Sequence, residues 1–379
     1  MLRKRQSLMQ ILLIEPFFTG SHRQWAEGYR KFSRHQVRIL QLPGRHWKWR
    51  MYGGAVSLAR QFLQLDQLPD LILASDMLDL TTFLSLTRAR SAGIPAIVYF
   101  HENQITYPWS AADEDTRLGR NNQYGFLNYT SALAADRVFF NSAYHRTSFL
   151  SALEPFLRQF PDQRELELIE QISEKSEVLP LGMDLHSLAQ NPPAKRPEEP
   201  VIVWNHRWEY DKHPELFFQA LTQLHNEGCA FKLIVMGEAF QKSPEIFSVA
   251  REKLSTHLLH FGYAPDRDAY ARWLHLADIV PVSSRQDFFG GSVVEALYCN
   301  CHPLLPNRLA FPEHLPEAKR TEYLYDRESE FTGRLRMLLP QIDRIRSNTC
   351  YRDFVAHYDW RILAPVYDDS MMQLSKKRL

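Results

Sequence analysis

The chain is poor in the features that would place it outside the cytosol: four cysteines in 379 residues and no apolar run of membrane-spanning length. Cys229, Cys299, Cys301 and Cys350 are too sparse for a disulfide framework, and only Cys299 and Cys301 lie close together. They are read as reduced thiols at a helix-to-strand junction, with no metal among them. The apolar stretch 11–14 is too short for a signal-peptide core and is stopped by Glu15. A cytosolic protein with no membrane partner is expected. An excess of charge is lacking too: Lys plus Arg is 45 against Asp plus Glu at 44. That balance gives no strong global field, so any nucleic-acid contact must rest on a local patch. There is no short-period repeat, no low-complexity tract, and no Asp-x-Asp placed to hold a divalent ion.

What is present is a rhythm of short apolar runs alternating with helix-period segments. Runs 10–14, 37–42, 71–74, 96–100 and 138–140 read as strands of a parallel α/β sheet. Trp25, Tyr29 and Phe32 recur at i, i+4 and i+7, an aromatic stripe suited to a helix that covers that sheet. The proline-rich, charged segment 191–200 interrupts the pattern as a linker. Beyond it, runs 201–204, 231–236, 260–261, 279–282 and 303–305 restart the rhythm, with Tyr270, Trp273, Leu274 and Ala277 on one helix face. Two doubly wound domains are expected, as 379 residues exceed what one core usually serves.

Ligands of such sheets bind beyond the carboxyl ends of the strands. Gly20 and Ser21, His101 and Glu102, Arg207, Gly237, Gly262 and Asp287 all fall there. Asp287 and Glu295 lie eight positions apart across Gly290, Gly291 and Ser292, so two carboxylates flank a helix start whose N–H groups suit a phosphate. Arg207 and Lys212, four residues between them, can clamp a diphosphate and stabilise it as a leaving group. The competing reading is a surface pair neutralised by Glu209 and Asp211. The Gly20 turn allows close approach of a phosphate or sugar. His101, flanked by Glu102 and Asn103, could hold a sugar hydroxyl, or be a structural histidine. The segment Arg45, Trp47, Lys48, Trp49, Arg50 reads as a loop after the second strand. Its cations and indoles suit a stacked base and nearby phosphates, or else the tryptophans pack the loop onto its own domain. The terminal residues Arg3, Lys4, Arg5, Lys376, Lys377 and Arg378 could extend a basic patch.

These motifs resemble the retaining glycosyltransferases of family 4. The acidic residue, seven others and a Glu are matched by Asp287 and Glu295, the Arg and Lys by Arg207 and Lys212, and a hinge signature by residues 179–184. The segments 14–22, 47–51, 75–77 and 99–104 are further similar to the tRNA-queuosine alpha-mannosyltransferase family, also called glycosyltransferase-like domain-containing protein 1. The resemblance implies a GT-B fold: two Rossmann-like domains facing a cleft, with a closing helix around Trp360 and Tyr367 crossing back to the first. The expected boundaries are an acceptor domain at 1–188, a linker at 189–200, a nucleotide-sugar domain at 201–358 and the crossover helix at 359–379. It implies that Glu295 meets the donor ribose, Asp287 the donor sugar, Arg207 and Lys212 the pyrophosphate, and His101 the reacting sugar. Gly20, Ser21, Gly237, Gly290, Gly291 and Ser292 complete the expected donor set. Arg45, Trp47, Lys48, Trp49, Arg50, Glu102 and Asn103 are expected on the acceptor tRNA. The implied reaction is retaining transfer of mannose from GDP-mannose to queuosine at the wobble position of aspartate tRNA, with no cofactor beyond the nucleotide sugar and no metal. The alternatives are a related transferase acting on a small molecule, lipid or glycan, and a non-catalytic protein that binds RNA or nucleotide sugars.

Overall fold

Apolar runs that are buried at every position, such as Leu71–Ser75 and Ala96–Phe100, need cover on both faces, which a parallel sheet between helices provides. The computed structural model describes residues 8–110, 113–189, 195–237 and 244–376, with side chains described through residue 374. Among the described residues two six-stranded parallel sheets form. The first contains β1 (Gln10–Phe18), β2 (Gln36–Pro43), β3 (Leu71–Ser75), β4 (Ala96–Phe100), β5 (Arg137–Phe140) and β6 (Ser176–Val178) in the order β2-β1-β3-β4-β5-β6. The second contains β7 (Val201–Trp204), β8 (Lys232–Met236), β9 (Leu258–Gly262), β10 (Ile279–Pro281), β11 (His302–Pro306) and β12 (Leu324–Tyr325) in the order β12-β11-β10-β7-β8-β9. The order reverses between β1 and β3 in one sheet and between β7 and β10 in the other, so each has a switch point of the kind at which ligands of open sheets bind. The edge strands β6 and β12 were not expected; at three and two residues they are too short to show a period.

The chain divides into two units, one running to Met183 and resuming at Trp360, the other spanning Asp184–Asp359. The closing helix, Trp360–Lys376, thus belongs with the first sheet. The aromatic stripe explains how. Trp25 stacks on Tyr99 of β4 at 4.7 Å and donates its indole N–H to the Tyr367 hydroxyl at 3.2 Å. Tyr29 donates to Asp368, which also accepts from the Ser33 hydroxyl and the Arg34 backbone N–H. Trp360 lies in a slot where a Cβ on either Gly28 or Gly182 would collide with its ring. Phe32, by contrast, stays half-buried between the cations of Lys31 and Arg361.

One local expectation is overturned. The segment holding Trp47, Lys48, Trp49 and Arg50 is the first turn of a helix, Trp47–Leu63, and only Arg45 and His46 remain outside it. The pair Gly53-Gly54 also sits inside that helix: Gly54 lets it approach Pro16, and Gly53 lies under the Trp49 ring. Residues 190–194 of the expected linker and the basic residues Arg3, Lys4, Arg5, Lys377 and Arg378, with the Lys376 side chain, lie outside the described residues. No helix among the described residues is long and apolar enough to cross a membrane.

Candidate active site

In the C-terminal unit the switch point gathers most of the expected donor residues. Arg207 and Lys212 follow β7, and Asp287 follows β10, its neighbour across the crevice. Lys212 is buried, and its ammonium is held by the Gln286 carbonyl at 2.7 Å, Asp287 at 2.9 Å and Asp211 at 3.1 Å. Burial lowers its pKa, but Asp287 and Asp211 outweigh this, so the net direction is upward and Lys212 stays charged. Arg207 is half-exposed and pairs with Glu209 at 3.2 Å. The neutralising acids of the competing reading are therefore real partners, but burying an ammonium among carboxylates is not the behaviour of a solvated surface pair. Nor does Lys212 stand as an open clamp. Its hydrogen bonds are occupied by protein, and a diphosphate must take over part of Asp287's role.

Gly290, at φ +84°, lets the chain turn into the helix Gly291–Tyr298, and a Cβ there would press on Phe311. Val293 and Val294 return their N–H groups to the Gly290 carbonyl, whereas those of Gly291 and Ser292 precede any intrahelical acceptor. The Ser292 hydroxyl is engaged with His206 Nδ1 at 2.8 Å, so phosphate would be met by its backbone rather than its side chain. Gly237, at φ +144°, abuts the His206 carbonyl so closely that no Cβ fits.

Glu295 is buried, with one oxygen on Arg267 at 2.6 Å and the other accepting the Tyr270 hydroxyl at 2.7 Å. Asn205 joins the two ends of the site, donating to Tyr270 and to the Ser292 carbonyl. A polar network therefore runs from Glu295 through Tyr270, Asn205 and Ser292 to His206, which burial holds at a pKa of about 4 despite the charge of Asp287. Asn205 Oδ1, His206 Nε2, Trp208 Nε1, Ser284 Oγ and Gln286 Nε2 are buried around it without a protein hydrogen-bond partner. An unmade hydrogen bond at a buried polar group costs about 1–3 kcal/mol, so a polar ligand that reached these groups would gain by partnering them. Arg267, Tyr270, Asn205 and His206 were not expected from the sequence. The available signal was the Arg267, Tyr270 spacing on one helix face.

In the N-terminal unit Gly20, at φ +49° with open space around it, begins the helix Gly20–Phe32, and Ser21 is exposed beside it. His101 directly follows β4 in a nest of rings: His22 at 4.3 Å, Trp25 at 4.7 Å and Tyr99 at 4.9 Å. It is buried, and its Nε2 has no protein partner. Glu102 accepts from the Gln104 side chain and is half-buried. Asn103 is fully buried, and its Oδ1 accepts the N–H groups of Ile105 and Thr106. It shapes the turn after β4.

The basic aromatic segment divides its work. Trp47 packs on Trp109 and Tyr124, while Trp49 is 63% exposed, with Arg45 exposed before it and Arg50 bonded to the Pro43 carbonyl. Lys48 turns inward: Asp113 and Asp115 each meet its ammonium at 2.6 Å, among the rings of Trp47, Trp109 and Tyr124. Its charge is thus paired within the protein.

Two parallel sheets, with a buried lysine, an arginine and two acids around a helix start at one switch point, define a glycosyltransferase of GT-B architecture. The C-terminal half matches the family model described as glycosyl transferases group 1 over residues 188–339, and the N-terminal half matches the tRNA-queuosine alpha-mannosyltransferase N-terminal model over residues 10–183. The chain is 35% identical over 371 residues to the tRNA-queuosine alpha-mannosyltransferase of Drosophila melanogaster, with 95% of each chain covered. It belongs to the tRNA-queuosine alpha-mannosyltransferase family. The fold is similar to that of a sucrose-phosphate synthase from Thermosynechococcus elongatus, at TM-score 0.70 and 15% identity over 97% of this chain and 100% of that one. A glycosyltransferase from Rickettsia africae gives 0.68 at 12% identity over 98% and 100%.

Proposed function

We propose that the chain transfers mannose from GDP-mannose, with retention, to the cyclopentene-diol of queuosine at the wobble position of aspartate tRNA. The observation that carries this reading is the match over residues 10–183 to the tRNA-queuosine alpha-mannosyltransferase N-terminal model, beside 35% identity to such an enzyme along the chain. The donor nucleotide is assigned to the C-terminal unit, with Glu295 on the ribose, Asp287 on sugar hydroxyls, and Arg207, Lys212 and the Gly291 and Ser292 N–H groups on the pyrophosphate. The acceptor and His101 belong to the N-terminal unit.

As the bond from sugar C1 to the diphosphate oxygen breaks, its electron pair goes to that oxygen, where Arg207 and Lys212 stabilise the added charge. An acceptor hydroxyl oxygen then bonds C1 on the leaving-group side, and its proton passes to a diphosphate oxygen. No side-chain base is required. No divalent ion is invoked either, since the leaving group meets two protein cations and a helix start. Transfer should proceed at an unchanged rate in EDTA; loss of activity restored by a divalent ion would contradict the metal-free reaction.

The exposed Trp49 indole, with Arg45 and Arg50 near it, supports an RNA acceptor through stacking and phosphate pairing. The test incubates purified protein with GDP-mannose or UDP-glucose and bulk tRNA, then weighs the released nucleosides. Hexose on queuosine from GDP-mannose is expected. Hexose delivered only to small molecules, lipids or glycans would favour the related transferase, and absence of transfer and donor hydrolysis would leave a binding protein.

A further inference from the structure

We propose that Glu15 and His22 form a positioning pair for His101: Glu15 holds His22 as an imidazolium against the His101 ring, and His22 keeps His101 neutral for its hydrogen bond to the reacting sugar. This rests on the reading of His101 given above.

The geometry begins with a carboxylate where a parallel sheet rarely has one. Glu15 lies within β1 and is wholly buried. A buried carboxylate needs partners, and both oxygens have them: Oε1 accepts the Phe17 N–H at 2.8 Å, and Oε2 meets His22 Nδ1 at 2.9 Å. His22 is the third residue of the helix Gly20–Phe32, so the Gly20 turn fixes its position. Its ring centroid lies 4.3 Å from that of His101, tilted by 42°.

His101 is clamped through its backbone. Its N–H donates to Asp76 Oδ1 at 2.8 Å, and its carbonyl accepts from Asn141 Nδ2 at 2.9 Å. The imidazole Nε2 is left buried with no protein partner, as expected of an atom reserved for a ligand.

Two imidazoles this close do not both become imidazolium, because like charges disfavour one another. The surroundings choose between them. Glu15 on β1, Asp76 after β3 and Glu102 after β4 face His22, while His101 faces His22 itself and His145 from the helix Ala143–Leu157. Burial would lower His22, yet the charge and hydrogen bond of Glu15, with Asp76 and Glu102 adding, carry it up to about 9. Burial drives His101 well below its ordinary value, and His22 and then His145 push it further. A protonated His101 would set a positive charge against sugar C1 as that carbon becomes electron-poor. A neutral one can hydrogen-bond the sugar without opposing the reaction.

A purely structural Glu15–His22 pair would hold the turn after β1 but leave the protonation of His101 alone. The experiment therefore reads His101 itself, in Glu15→Gln and His22→Gln variants, by NMR titration of ring-labelled histidine in ligand-free protein and by kcat against pH. Both variants should raise the His101 midpoint by about one pH unit or more, with the acid limb of kcat moving by a similar amount. If either midpoint or limb stays at its wild-type position, the pairing is wrong, whatever activity is lost. Should Glu15→Gln fail to fold, His22→Gln reads the same shift. Because the titration needs neither donor nor acceptor, absent transfer to queuosine contradicts the proposed function, whereas an unmoved His101 contradicts this pair.

Discussion

As individual side chains, Arg207 and Lys212 differ in a way that their shared motif hides. Lys212 supports the packing around it as well as the proposed chemistry, since its removal leaves Asp211 and Asp287 near one another with no cation between them. Arg207 is half-exposed, so it separates the two effects. Arg207→Ala should lower kcat by roughly 10²-fold or more with an unchanged melting temperature, as expected for a group acting on a developing charge. Lys212→Ala should lower both; a steady-state assay beside calorimetry distinguishes them. Asp287, Glu295, Arg207 and Lys212, the residues proposed for the donor, could be singled out because their spacing is written in adjacent sequence. Arg267 and Tyr270 were not, since the buried hydrogen bonds they make to Glu295 join a different helix. Glu15 was read only as the residue that ends an apolar run. Its burial is a tertiary fact, set by a histidine seven positions on.

Among strands and helices, strands buried on both faces were readable as continuous apolar runs, and ten of the twelve were located, while β6 and β12 were too short to carry a pattern. The helix Trp47–Leu63 was missed because its glycine pair weakens local propensity; packing of Trp47, Met51 and Tyr52 around Tyr124 overrides that weakness. The first turn of that helix, with Arg45 just before it, now concentrates the proposed RNA surface at Arg45, Trp49 and Arg50. Replacing Arg45 and Arg50 by Ala should weaken tRNA binding and flatten its log–log salt dependence by about 0.7–0.9 for each phosphate no longer neutralised. Replacing Lys48 should change that slope little, because Asp113 and Asp115 already neutralise it. The seat of the closing helix offers another check. Gly28→Ala or Gly182→Ala forces Trp360 from its slot and should destabilise the N-terminal unit by about 1–3 kcal/mol, read by denaturant unfolding.

Across the whole molecule, histidines set opposing pH limits. His206, His302 and His314 are held by burial at about 4, below the 6.5 of an unfolded histidine. The unfolded chain then binds more protons between those values, so stability is lost as pH falls from 6.5 towards 4. His22, carried to about 9, works in reverse: its contribution is complete below pH 6.5 and is lost as pH rises towards 9. Calorimetry should find greatest stability near pH 6.5, and His22→Gln should flatten only the alkaline decline. A steeper alkaline decline in that variant would show that His22 is not the charged partner. These limits could not be read from the sequence, because only the fold decides which histidines lie beside a carboxylate.

The proposed function joins a nucleotide-sugar donor to a queuosine acceptor, and one measurement addresses both. Protein is given GDP-mannose labelled in the sugar, together with tRNA from cells grown with or without the precursor of queuosine. Label should enter only the queuosine-containing tRNA, and Arg207→Ala should reduce it by roughly 10²-fold or more. Equal labelling of both tRNA pools, or none of either, would contradict the assignment of queuosine as acceptor and GDP-mannose as donor.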